Sequence, residues 1–105
     1  MSRSRGRPLR GKRCLVTGGG SGIGEGIAHS LGQAGAAVAV LGRKRAKLNR
    51  VVKDLTAAKV DAFAVTGDVA DEASITRSID RARKALGGLD ILVNNAGIGG
   101  PNGCA

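Results

Sequence analysis

The chemistry legible in this sequence is concentrated in Gly18-Gly19-Gly20-Ser21-Gly22-Ile23-Gly24, which follows the apolar run Cys14-Leu15-Val16-Thr17 and precedes a segment of helical period. A glycine turn between a buried strand and a helix sits where a parallel sheet presents a helix N-terminus at its carboxyl edge. Free N–H groups and the helix dipole make that place an anion site. Glycines there admit positive φ, let the backbone approach a pyrophosphate and let the helix lie close to the strand. An ATP-type loop needs Gly, four residues, then Gly-Lys-Ser/Thr. Here Gly24 is followed by Glu25, whose charge would repel the β and γ phosphates. The spacing also departs from G-x-G-x-x-G, reading Thr17-Gly18-x-x-x-Gly22-Ile23-Gly24.

Composition excludes other chemistries. One His and two distant Cys do not supply the usual four zinc ligands, so no metal site is expected. Cys14 lies in an apolar run and Cys104 is next to last, a pattern of reduced thiols rather than a disulfide framework. The absence of Tyr removes every phenolic acid or base. With Trp also absent, the aromatic platforms that stack single-stranded bases are missing, and Phe63 and His29 do not replace them. His29 reads as a surface residue, about a turn and a half from the loop edge.

The formal charge of +9 is uneven. Arg3, Arg5, Arg7, Arg10, Lys12 and Arg13 fall in residues 1–13 with no acid, leaving a mildly basic body. Residues 1–13 read as a solvated, disordered arm and 14–105 as one domain. With no apolar run fit for a signal peptide or membrane span, a soluble cytoplasmic protein is expected.

The elements that must position the glycine loop follow from periodicity. Strands are expected at 14–17, 36–41, 60–66 and 89–93, the second continuous in apolar residues as in a sheet covered on both faces and the fourth apolar except Asp90. Ile23, Ile27, Leu31 and Ala34 predict one face of a first helix, and Leu48, Val51, Val52 and Leu55 that of a second, with Lys47, Arg50, Lys53 and Asp54 outside. Ile75, Ile79, Ala82 and Leu86 predict the buried stripe of a third, with Asp71 and Glu72 in its first turn and Gly87-Gly88 at its end. The order βαβαβαβ implies an α/β fold, a Rossmann-type doubly wound parallel sheet. Right-handed crossovers give strand order 3-2-1-4, with the first two helices on one face, the third on the other, and only loop after the fourth strand.

Four motifs in order, Thr17-Gly18-Gly19-Gly20-Ser21-Gly22-Ile23-Gly24, Gly42-Arg43, Gly67-Asp68-Val69 and Asn94-Asn95-Ala96-Gly97, closely resemble the short-chain dehydrogenase/reductase family, its classical type that includes 3-oxoacyl-carrier-protein reductases. The resemblance spans residues 12–100 and implies an oxidoreductase binding a nicotinamide dinucleotide. It implies cofactor contacts from Gly18, Ser21, Gly22, Ile23 and Gly24, from Asp68 and Val69 near the adenine, from Asn94 near the adenosine ribose, and from Ala96 and Gly97. Asp68 also reads as a loop or capping acid, and the Asn pair as a turn that satisfies strand-end backbone groups. An acid at the end of the second strand would bind the ribose diol of NAD, and a base would pair with a 2′-phosphate. Gly42 followed by Arg43, Lys44 and Arg45 therefore predicts NADP(H) over NAD, the alternative being a solvated helix start.

The family's chemistry resembles a Ser, Tyr and Lys device in Tyr-x-x-x-Lys spacing after the fourth strand. Without any Tyr, no catalytic residue is expected in this chain, which reads as the N-terminal half of the fold. Three functions stay open: the NADP(H)-binding portion of such an enzyme, a non-catalytic nucleotide-binding module, or a nucleic-acid binder using the basic arm, the last disfavoured. Expected partners are the dinucleotide and either a second copy or a complementary C-terminal half.

Overall fold

Short runs of Val, Leu, Ile and Ala form four parallel strands, β1 (Arg13–Thr17), β2 (Ala37–Gly42), β3 (Ala62–Thr66) and β4 (Ile91–Asn94). They are joined by α1 (Gly22–Gln33), α2 (Arg45–Ala57) and α3 (Glu72–Leu86). The sheet order is β3-β2-β1-β4, as expected. A computed structural model describes residues 8–20, 22–68 and 70–95. Val16 lies opposite Val40 and Val93, and Thr17 opposite Leu41 and Asn94, so the strand ends form one carboxyl edge.

Alternation along the strands divides the core in two. Cys14, Val16, Val38 and Val40 pack with Ala28 of α1 and with Leu48, Val51 and Leu55 of α2. On the other face Leu15, Ala39, Leu41 and Val65 pack with Ala82 of α3. This is the predicted split of helices. Full burial of each such Leu stabilises the fold by roughly 1.5–3 kcal/mol. Among the described residues no helix is long and apolar enough to cross a membrane.

The inner line of α1 differs from the periodicity reading. Its buried residues are Gly24, Ala28 and Gly32, while Ile23 is 63% exposed and Ile27 and Leu31 only flank the core. A helix seated close on a sheet turns its smallest residues inward, and a search for large apolar side chains passes over them. On α3 only Ala82 of the expected stripe is fully buried, and Ser78 joins it. Ser78 satisfies its hydroxyl by donating to the Thr66 carbonyl at 3.2 Å. Asp71 is the N-cap of α3, accepting from the N–H groups of Ala73 and Ser74, and Gly87 ends the helix in the left-handed conformation.

Strand bounds also shift. Val60 is buried ahead of β3, and Leu89 and Asp90 precede β4 because Asp90 turns back to β1. Its N–H donates to the Arg13 carbonyl at 2.9 Å, and its carboxylate accepts from the Arg13 N–H at 2.9 Å and Nε at 3.0 Å. Arg13, counted with the basic arm, therefore opens β1. Leu9 packs against the core and donates its N–H to the Ala34 carbonyl, tying the turn before β1 to the end of α1. Residues 1–7 lie outside the described residues.

Helix α3 packs on β3, β2 and β1. Leu92 of β4 shares its face, being level with Leu15, and is 49% exposed, as Phe63 on β3 is 37% exposed.

Candidate functional site

The loop after β1 is built from close backbone approaches. Gly18 takes φ +67°, a left-handed turn that a side chain would strain, and the Gly19 N–H donates to the Leu41 carbonyl at 3.1 Å, anchoring the loop to β2. Gly24, at the start of α1, lies directly under that turn. A methyl group there would overlap the Gly18 carbonyl oxygen and lie 2.9 Å from Asn95 Nδ2. Directly after β4, buried Asn95 donates through Nδ2 to the Gly18 carbonyl at 3.4 Å. Thr17 Oγ1 reaches Asn94 Oδ1 at 3.1 Å. The ends of β1 and β4 are thus locked to the loop where the helices change faces, the switch point at which doubly wound sheets take ligands.

Beside the loop, over the end of β2, lies a cleft of about 270 Å³ lined by Gly18, Gly20, Gly42, Arg43, Lys44, Lys47 and Leu48. Leu48, fully buried, forms its apolar floor. Lys44 is the N-cap of α2 and makes no side-chain cap, and no acid stands in the first turn. The contrast with α3, closed by Asp71, is chemical: Lys has no acceptor to offer, so the N-terminus of α2 and three cationic side chains face one concave place. An anion is the matching group.

The predicted residues divide accordingly. Gly18, Gly24 and Arg43 come together at this edge, and Gly22 and Ile23 stand exposed at the start of α1. Of the three consecutive bases, Arg45 departs, its Nη2 reaching Thr66 Oγ1 on β3 at 3.4 Å. Asp68 behaves as a loop acid, accepting from the Ala70 N–H at 3.0 Å, while its own N–H donates to Ser74 Oγ at 3.0 Å. Ser21, Val69, Ala96 and Gly97 lie outside the described residues. One residue was missed, Lys47, signalled only by its place one helical turn after Lys44, whereas Asn95, read with Asn94 as satisfying strand-end backbone groups, bonds the Gly18 carbonyl. Cys14, a free thiol buried under the sheet, takes no part. Burial pushes its pKa up and the nearby Asp90 charge adds to this.

Comparison with known proteins places this geometry. Residues 12–105 match the short chain dehydrogenase family. A versicolorin reductase of Emericella nidulans is 42% identical over 99 residues, 93% of this chain and 38% of the relative. The 7alpha-hydroxysteroid dehydrogenase of Escherichia coli K12 is 42% identical over 93 residues, 89% of this chain and 36% of that protein. The chain thus spans somewhat over a third of the length of these relatives. Among solved structures, a hydroxysteroid dehydrogenase from Escherichia coli superposes with TM-score 0.85 at 40% identity, over 94% of this chain and 42% of that one. A short chain dehydrogenase from Burkholderia cenocepacia J2315 in complex with NADP superposes with TM-score 0.81 at 47% identity, over 87% of this chain and 38% of that one.

Proposed function

Because the chain belongs to the short-chain dehydrogenase/reductase family, we propose that it forms the NADP(H)-binding portion of an oxidoreductase acting on carbonyl and alcohol groups. The cleft at the carboxyl edge carries this reading: a glycine loop on one side, Arg43, Lys44 and Lys47 on the other. The residues fit the group. The loop gives backbone N–H donors and a helix start for a pyrophosphate, and the three cations suit an adenosine 2′-phosphate. At the end of β2, where a carboxylate would take the ribose diol of NAD, stands Gly42.

When bound, the dinucleotide supplies or accepts the hydride. This chain's own residues hold its adenosine side. Ser21, Val69, Ala96 and Gly97 join the site on the family resemblance alone. With no Tyr among its 105 residues, the chain offers no phenol to protonate a substrate oxygen, and a general acid is typically worth 10²–10⁴-fold. Binding without turnover is therefore expected of these residues by themselves.

Calorimetry with 2′,5′-ADP and 5′-AMP tests the reading without needing the nicotinamide. A charge-assisted hydrogen bond contributes about 1.5–3 kcal/mol, and the exposure of Arg43 sets the lower end, so 2′,5′-ADP should bind about tenfold tighter. Equal affinity for the two would refute the choice of NADP(H), and no binding of either would refute the site.

A further inference from the structure

Away from the nucleotide cleft, α1 and α2 bring together the chain's only His and two carboxylates. One ligand atom from each of Glu25, His29 and Asp54 lies within 4.8 Å of the other two, and His29 Nε2 is 4.0 Å from Glu25 Oε2. Glu25 and His29 stand four residues apart, on one face of α1, and Asp54 comes from α2 across the groove. Counting only His and Cys at the level of sequence left such a donor set out.

What sets Glu25 and Asp54 apart is their convergence from two helices. The chain carries 17 Lys and Arg against 8 Asp and Glu, and among the described residues two of those acids form an ion pair with Lys or Arg. Asp90 pairs with Arg13 and Asp80 with Arg83. Among the described residues neither Glu25 nor Asp54 forms an ion pair with Lys or Arg; they converge on each other and on His29. Two like charges at this separation repel unless a cation stands between them.

We propose that Glu25, His29 and Asp54 form a binding site for a divalent first-row transition ion, clamping α1 to α2. One imidazole nitrogen and two carboxylate oxygens suit Zn²⁺, Co²⁺ or Ni²⁺, whereas Mg²⁺ and Ca²⁺ favour oxygen donors alone. Ligand atoms about 2.0–2.2 Å from a tetrahedral ion stand about 3.3–3.6 Å apart, so the widest separation closes by about 1.2–1.5 Å. Half-exposed Glu25 and His29 and exposed Asp54 are free to make that adjustment, and the fourth position is left to water.

The test is a Co²⁺ titration of the full chain in a Cys104→Ser background, which removes the second thiol. Visible absorption reports the coordination, and calorimetry with Zn²⁺ and Mg²⁺ runs in parallel. One ion per chain is expected, with Zn²⁺ and Co²⁺ bound well ahead of Mg²⁺. Glu25→Gln, His29→Gln and Asp54→Asn should each weaken Co²⁺ binding on the order of tenfold or more. Arg43→Ala should leave it unchanged, separating this site from the nucleotide cleft. Should His29→Gln fail to fold, the two isosteric carboxylate variants decide. Unchanged affinity in them, Mg²⁺ binding as tight as Zn²⁺, or no saturation before millimolar metal would overturn the proposal.

Discussion

Gly24 and Gly26 stand two residues apart in α1, and replacing each by Ala should move stability in opposite directions. In a helix, Gly→Ala gains about 0.5–1 kcal/mol by reducing the freedom of the unfolded chain. At Gly26 a methyl group meets nothing within 4 Å, so that gain stands alone. At about 4–8 °C per kcal/mol for a domain of this size, Gly26→Ala should raise Tm by roughly 2–8 °C. At Gly24 the methyl would overlap the Gly18 carbonyl oxygen and lie 2.8 Å from the Gly18 carbonyl carbon. These are backbone atoms of a loop held to β2 through Gly19, so they have no rotamer to escape into and α1 must lift from β1. Such overpacking costs about 1–3 kcal/mol. The propensity gain is common to both variants, so their difference isolates the clash, a separation in Tm of about 4–24 °C. Urea and thermal melts followed by circular dichroism measure it. Calorimetry with 2′,5′-ADP should show binding lost in Gly24→Ala and kept in Gly26→Ala. If the two variants prove equally stable and bind equally well, the tight seat of α1 under the glycine loop is refuted.

Three further outcomes follow from named contacts. Arg43→Ala should weaken 2′,5′-ADP about tenfold while Arg45→Ala, turned toward Thr66, stays within about twofold; calorimetry on both distinguishes the cleft from general positive charge. The side-chain hydrogen bond from Arg13, reinforced by the Arg13 N–H, lowers the Asp90 pKa. A depressed carboxylate stabilises the fold above its unfolded pKa of about 3.9, and that contribution is lost as pH falls through the folded value. Asp90→Asn should accordingly melt lower at neutral pH and lose less on acidification, and parallel acid titrations of both proteins check the sign. Leu92, half-exposed on the edge strand β4, should drive concentration-dependent association that Leu92→Thr reduces; sedimentation showing a monomer at all concentrations would contradict this.

The sheet was legible because its signals are local and redundant. Ala36 to Leu41 is apolar at every position, as a strand covered on both faces requires, and four strand runs alternating with three helical stripes leave few topologies once crossovers are right-handed. What escaped was packing distance. Ile23, read on the size of its side chain, proved 63% exposed, while Gly24, Ala28 and Gly32 carry α1 onto the sheet. Periodicity of large residues marks where a helix can bury area, and says little of where the backbone comes closest. Asp90 escaped for a related reason: in a run that reads as strand, its partner Arg13 is 77 residues away, and only the register of β1 against β4 brings them together.

Lys47 shows the same limit at the site. With Arg50 and Lys53 it reads as the solvated face of α2, and only its place one turn after Lys44 sets it apart. It differs because β1 and β2 are neighbours in the sheet, so the loop leaving β1 and the helix following β2 meet over one edge. A methyl group on Gly20 would come 3.3 Å from Lys47 Cβ, and the same approach places the lysine in the cleft. Arg43 and Arg45 make the converse point: two residues apart and chemically identical, they are parted by the start of α2, which leaves one over the cleft and turns the other toward Thr66 on β3. Residue type announces that an anion is wanted here. Which cations meet it is decided by the strand order, since 3-2-1-4 brings the glycine loop against α2 and leaves α3 on the opposite face.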